Sequence, residues 1–123
     1  MWIFTKNGFY SAIQDKDDSS KIWVRARVEN DLLSLIAKYN VKSTTIMKFC
    51  GTDYLFRICM QRSEWMRIVA ESALDIDYVN FKDMIGVTFG IARELVYHEV
   101  WCSLYKLQLV DEYQFNCNWI RNM

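Results

Sequence analysis

The chain contains no proline and only four glycines among its 123 residues. Because these two residue types most often interrupt regular structure, their scarcity argues against interdomain linkers and low-complexity segments. A chain of this length that is 52% hydrophobic can bury a core of its own and is not expected to be disordered. We therefore predict a single domain, residues 1–123, in which residues 110–123 form a strand-forming extension.

Metal-site and catalytic motifs are also lacking. His98 is the only histidine, and Cys50, Cys59, Cys102 and Cys117 form no C-x-x-C pair, so we predict no metal and no cofactor. The sequence has no glycine-rich phosphate loop, no G-x-S-x-G and no H-E-x-x-H segment. We therefore predict that the protein is not an enzyme.

Neither sign of charge is in excess, because 15 basic side chains balance 15 acidic ones. This balance disfavours a general nucleic-acid coat protein, which carries a basic surplus. The start MWIFTKNGFY does not have the pattern of a signal peptide. The apolar run at residues 84–92 is too short to span a bilayer. We expect a cytoplasmic protein with reduced thiols and no membrane contact.

The pattern of apolar residues predicts an α+β fold. Residues 2–14 form a hairpin pattern around Asn7-Gly8, and residues 21–28 and 54–61 alternate as strands do. Residues 43–50 also have a strand composition. Helical spacing follows Asn30 and Ser63, each a plausible N-cap. The order ββ-α-ββ-α-α predicts an antiparallel sheet of four to five strands with two or three helices packed on one face.

The C-terminal third is predicted to begin with a long helix and to end in a strand. A helix over residues 89–109 would place Val96, Val100, Leu104 and Leu107 on one core stripe. The tail alternates apolar and polar side chains after it, which predicts the C-terminal strand. The apolar members of that alternation are Tyr113, Phe115, Cys117 and Trp119.

One face of the predicted sheet carries a candidate binding site. Trp23, Arg25 and Arg27 alternate with apolar residues, and Arg57 would share their surface if the two strands pair. Arginine offers forked donors for carboxylates and phosphates, and a neighbouring aromatic ring adds a stacking plane. The alternative is an ordinary solvated face whose arginines pair with acidic side chains.

Two further clusters are more simply structural. The segment DIDYVNFKD brings Asp75, Asp77 and Asp83 together, but we predict a joint between helices, with the next helical turn starting at Asp77 or Tyr78. Glu94, His98 and Cys102 follow each other at four-residue steps. Here we favour a structural histidine paired with Glu94 over a metal half-site or a nucleophile pair.

Five segments, in this order, carry a resemblance: WIFTKNGFYSAIQ, VRARVENDL, TDYLFRI, DIDYVNFKD and YHEVWCSLY. Over residues 2–105 the chain resembles a family of small bacterial and phage proteins with no assigned activity, so the resemblance implies a fold and not a function. Any ligand site that the family shares would lie at its polar motif positions. In this sequence these positions are Arg25, Arg27, Asp53, Tyr54, Arg57, Asn80 and Lys82.

These observations favour a non-enzymatic interaction protein that binds and modulates a protein partner or associates with its own copy. A phage-borne inhibitor of a host defence system is one such role. The alternative is binding of an anion, a nucleotide or a nucleic acid through the face that carries Trp23, Arg25, Arg27 and Arg57. An enzyme that acts on nucleic acid through the acidic segment at residues 75–83 is the least favoured hypothesis.

Overall fold

The computed structural model describes residues 1–43, 45–48 and 51–121, with side chains up to residue 110. The chain divides into two compact units, residues 1–77 and 78–123. The single domain over residues 1–123 stays a prediction. The strands are β1 (Trp2–Thr5), β2 (Gly8–Gln14), β3 (Lys21–Ala26), β4 (Met47–Lys48) and β5 (Phe56–Gln61). The helices are α1 (Glu29–Tyr39), α2 (Arg62–Leu74), α3 (Phe81–Phe89) and α4 (Ile91–Arg121).

The first unit is an antiparallel sheet covered by helices. Its strand order is β1-β2-β3-β5-β4, and every neighbouring pair is antiparallel. The helices α1 and α2 pack against strands β2, β3 and β5. The prediction of an α+β fold with an antiparallel sheet is confirmed.

The core lies between the sheet and these two helices, because one alternate set of strand residues is apolar. Val24 and Ile58, which are directly paired across β3 and β5, are completely buried. Leu32 and Leu35 of α1 and Ile68 of α2 close the core from the other side. Burying an apolar side chain of this size stabilises the fold by about 1.5–3 kcal/mol.

Asp31, in the first turn of α1, ties the helix to the hairpin. Its side chain is 2% exposed, and one carboxylate oxygen accepts the backbone N–H of Phe9 at 3.2 Å. The hydroxyl of Tyr10 donates to the backbone carbonyl of Asp31 at 2.7 Å. Gly8 permits this approach, because a Cβ on it would lie 2.3 Å from the Asp31 Cγ.

The second unit contains α3 and α4. Asn80 caps α3, since its side-chain oxygen accepts the backbone N–H of Asp83 at 3.0 Å. Gly90, at φ 93°, separates the two helices in a conformation that favours glycine. The ring of Phe81 stacks on that of Tyr97, with centroids 6.0 Å apart. None of the helices in the described part of the chain combines the length and hydropathy that a bilayer crossing requires.

Several predicted boundaries were wrong. The helix α1 begins at Glu29 and α2 at Arg62, so Asn30 and Ser63 lie inside helices and do not cap them. The chain passes from β5 into α2 without an intervening loop, because Gln61 ends one element and the next residue starts the other. The helix after the acidic segment begins at Phe81, later than predicted, where Asn80 supplies the cap.

The predicted C-terminal strand was wrong, because the backbone is helical through Arg121. Alternation alone does not break a helix, and α4 contains neither proline nor glycine to end it. The predicted core stripe on this helix was also wrong. Val96, Leu104 and Leu107 are each more than half exposed, and Tyr97 is the buried residue instead.

The contact between Gly8 and Asp31 predicts a large effect of Gly8→Ala. The added Cβ would overlap the Asp31 carboxyl group, and φ of 150° already disfavours a side chain. We expect the free energy of unfolding to fall by more than about 2 kcal/mol in chemical denaturation. Gly51→Ala is the matched control, since its φ is 91° but, among the described residues beyond its chain neighbours, no atom lies within 4 Å of the new Cβ. Equal losses in the two variants would contradict the proposed clash.

Candidate functional site

The sheet has a second face, turned away from α1 and α2, on which polar and aromatic side chains replace the apolar set. Strand register places one row of residues directly across it: Trp2, Ser11, Arg25, Arg57 and Met47. Trp23 lies on the same face, two residues before Arg25 on β3. The sequence-predicted residues Trp23, Arg25 and Arg57 are therefore brought together.

Tyr54, just before β5, organises two of the arginines. The guanidinium carbon of Arg25 lies 4.6 Å from the centre of the Tyr54 ring, and that of Arg27 lies 4.4 Å from it. The guanidinium of Arg57 lies over the Trp23 ring at 6.0 Å. Each contact of this kind contributes about 0.5–2 kcal/mol. We call Trp23, Arg25, Arg27, Tyr54 and Arg57 the arginine–aromatic face.

Hydrogen bonds fix the two guanidinium groups that share Tyr54. Arg25 Nη2 donates to Ser11 Oγ at 2.6 Å, and Arg27 Nη1 donates to the backbone carbonyl of Asp53 at 2.5 Å. Asp53, also a sequence-predicted residue, thus contributes its main chain. Among the residues whose side chains the structure describes, no carboxylate forms an ion pair with Arg25 or Arg27.

An acidic turn holds the other end of this face. The indole N–H of Trp23 donates to Asp15 Oδ2 at 2.8 Å, and this bond lowers the pKa of the Asp15 carboxyl group. Cys59, which pairs with Trp23 across β3 and β5, is half-buried. Burial raises the pKa of its thiol, so Cys59 is a poor nucleophile.

Aromatic side chains of the hairpin extend the face, and sequence reasoning missed them. Phe4 and Phe9 stack with centroids 4.5 Å apart, and Trp2 meets Phe9 edge-on at 6.1 Å. Phe9 also lies 6.4 Å from the Tyr54 ring, which connects this cluster to the arginines. Trp2 is 69% exposed. The signal that could have found them is the hairpin register, which pairs Phe4 directly with Phe9.

The remaining predicted residues, Asn80 and Lys82, lie in the second unit. Asn80 is the cap of α3, as described above. Lys82 Nζ lies 3.2 Å from His98 Nδ1 and 4.6 Å from the centre of the Trp101 ring. Both residues border a depression of about 330 Å³ that Glu94 and His98 also line. The Asn80 and Lys82 side chains thus already have partners within α3 and α4.

We predicted that His98 pairs with Glu94, and this prediction was wrong. His98 Nδ1 lies 3.2 Å from Lys82 Nζ, and its Nε2 lies 3.5 Å from Cys102 Sγ. The side chain of Glu94 instead lies against Gly86, where a Cβ would be 2.2 Å from a carboxylate oxygen. In the described part of the chain, no group of three or more potential ligands could hold a metal ion.

The acidic segment is held by hydrogen bonds and ion pairs. Asp75 Oδ2 accepts the Tyr39 hydroxyl at 2.8 Å and lies 3.4 Å from Lys38 Nζ. Asp77 pairs with Lys6 at 2.9 Å. The Tyr39 bond lowers the pKa of Asp75, and the Lys6 bond lowers that of Asp77. These contacts tie the acidic segment to α1 and to the β1–β2 turn.

Comparison with protein-family models, with curated proteins and with solved structures finds no match to this chain. The resemblance drawn from the five sequence segments therefore stays a prediction. The geometry of the arginine–aromatic face is the main guide to function.

The Tyr39–Asp75 hydrogen bond predicts a pH-dependent effect of Tyr39→Phe. The folded-state pKa of Asp75 is lowered, so its ionised form stabilises the fold above the unfolded-state pKa. That contribution is lost as the pH falls through the folded-state pKa. We expect Tyr39→Phe to cost about 1 kcal/mol of unfolding free energy at neutral pH. The difference from wild type should shrink in acid, as measured by denaturation at several pH values.

The matched control for this experiment is Tyr10→Phe. It also removes one hydroxyl hydrogen bond in the first unit, but the acceptor is the backbone carbonyl of Asp31, which does not titrate. Its cost should be independent of pH across the acid range. A Tyr39→Phe cost that is equally constant would show that Asp75 is not coupled to the hydroxyl.

Proposed function

We propose that this protein is a non-enzymatic interaction protein that binds and modulates a protein partner through its arginine–aromatic face. The observation that carries the proposal is the pair of guanidinium groups stacked on Tyr54, for which the described residues supply no carboxylate. The partner surface that fits such a face is acidic, because a carboxylate completes an arginine fork in bidentate geometry.

The composition of the face supports a protein as the partner. Residues that carry most binding energy in protein interfaces are tryptophan, tyrosine and arginine. Here Trp2 and Phe9 stand beside the arginines and continue their surface. Stacking on rings also restricts Arg25 and Arg27 before binding, which reduces the entropy lost when a partner immobilises them.

The placement of two arginines opposite each other in the sheet also supports a role in binding. Arg25 and Arg57 are directly opposite each other on neighbouring strands, where like charges destabilise a sheet. Residue placements that lower the stability of the fold are typical of functional surfaces.

The alternative, binding of an anion, nucleotide or nucleic acid through the same face, has weaker support. Single-stranded nucleic acids stack their bases on exposed aromatic rings. Tyr54 is only 3% exposed and is already covered by arginines.

Modulation of the partner would follow from occupancy of its acidic surface. A small protein that covers such a surface blocks the binding of other molecules there. This mechanism requires no catalysed reaction. Inhibition of a host defence protein by a phage-borne protein would be one instance of this mechanism.

We expect Arg25→Ala combined with Arg27→Ala to abolish partner binding. The experiment compares affinity capture from a bacterial lysate by the wild type and by the variant, with mass spectrometry and titration of the captured protein. Loss of two charged contacts should weaken binding by at least about 2–5 kcal/mol, or more than about 30-fold. Circular dichroism and thermal melting must show that the variant stays folded.

The matched control is Arg67→Ala, because Arg67 is an exposed arginine of the same unit that already pairs with Glu64 and Glu71. It should bind as the wild type does. Binding that survives the double substitution would contradict the proposal. Capture of an oligonucleotide with a steep salt dependence, and of no protein, would favour the alternative.

A further inference from the structure

The helix α4 exposes far more apolar surface than a helix on its own should. Between residues 95 and 110 it has two residues that are charged at neutral pH, Glu99 and Lys106, and its apolar side chains lie on every side. A helix that is hydrophobic all round is normally covered. Yet Leu95, Leu104 and Leu109 are each more than half exposed.

The exposed apolar area of α4 is spread over several sides of the helix. Nine large apolar side chains of α4 between residues 91 and 110 have exposures from 48% to 71%. With roughly 80 Å² exposed by each, about half of what a large side chain can bury, they present about 700 Å² together. One face of the helix holds about half of this area, which is similar to the about 300–600 Å² of the largest, often functional, apolar patch of a typical monomer.

The short helix α3 covers only one side of α4. Its contacts reach Tyr97 through Phe81 and Trp101 through Lys82. With 3.6 residues per turn, the opposite side carries a second stripe of residues, which we call the outer face of α4. The outer face consists of Leu95, Val96, Glu99, Cys102, Lys106, Leu109 and Val110, all of them exposed.

We propose that the outer face of α4 binds the outer face of a second copy of this chain, with the two helices antiparallel. The positions of the two charged residues on this face favour a second copy of the chain as the partner. Glu99 and Lys106 are seven residues apart, so they lie on one side of the helix. A two-fold axis at the midpoint between Cys102 and Ser103 places each Glu99 opposite the partner copy's Lys106, which forms two identical ion pairs.

The apolar residues obey the same symmetry. The axis that pairs Glu99 with Lys106 also brings Leu95 opposite Val110, and Val96 opposite Leu109. No apolar residue of the outer face meets a charged one in this register. A parallel pairing would instead put like charges opposite each other, so the sequence selects the antiparallel arrangement.

The interface is small, which sets the expected affinity. If the outer face is about half of the exposed apolar area, two copies bury roughly 700 Å² in total, below the about 1,200 Å² of a standard interface. We expect a reversible dimer with a dissociation constant on the order of 10 µM. Sedimentation equilibrium of the full chain from about 1 µM to about 300 µM should follow a monomer–dimer curve.

Charge reversal tests the proposed register. Glu99→Lys alone and Lys106→Glu alone each place like charges opposite each other, and should weaken dimerisation about tenfold or more. The double variant restores opposite charges and should dimerise as the wild type does. Residues seven apart on one helix do not touch, so this rescue cannot come from within one chain.

Cys102 provides a second readout, because it lies next to the proposed axis and is exposed. A short bis-maleimide should crosslink two wild-type chains, and Cys102→Ser should lose that crosslink while keeping the sedimentation behaviour. A monomer at every concentration would overturn the proposal. Single charge variants that dimerise normally, or association that requires lipid vesicles or another protein, would overturn it as well.

Discussion

The fold depends on the strict two-sidedness of its sheet. Each of β3 and β5 sends one set of alternate residues into the core with α1 and α2, so the other set is excluded from that core. The excluded set lies on the second face of the sheet and is stabilised by its own side-chain contacts. The aromatic rings of Tyr54 and Trp23 provide such contacts, because they support guanidinium groups that would otherwise repel one another. The binding hypothesis therefore follows from the same alternation that builds the core.

The two compact units solve the problem of apolar burial differently. Residues 1–77 enclose a core between sheet and helices. In residues 78–110, Ile85 and Tyr97 are the buried apolar residues, and nine large apolar side chains of α4 in this range are 48% to 71% exposed. A helix hairpin of this kind gains little stability from its own packing. The proposed association of two copies would cover part of this surface.

The sequence predicted those parts of the fold that depend on the local alternation of apolar and polar residues. The alternation around Val24 and Ile58 predicted two central strands, and the same alternation placed Arg25 and Arg57 on the opposite face. Registers were not predictable in the same way, because pairing depends on contacts between distant segments. For that reason the sequence did not reveal that Tyr54 is a buried support for Arg25 and Arg27. The pairing of Phe4 with Phe9 is different, because it follows from the register of the predicted hairpin. At the C-terminus, the alternation of residues 113–119 was compatible with a strand, but a helix without breakers simply continues through it.

One phenol group connects three separate pieces of the first unit. The Tyr39 hydroxyl at the end of α1 accepts from Asn7 in the β1–β2 turn at 3.1 Å and donates to Asp75 at the end of α2. Desolvation raises the pKa of this hydroxyl, which therefore stays protonated far into alkaline solution. Because a single atom serves all three segments, none of them can detach without disturbing the others. Local opening of this corner is thus a joint event, and amide hydrogens in the turn and in both helix ends should exchange with solvent as one group.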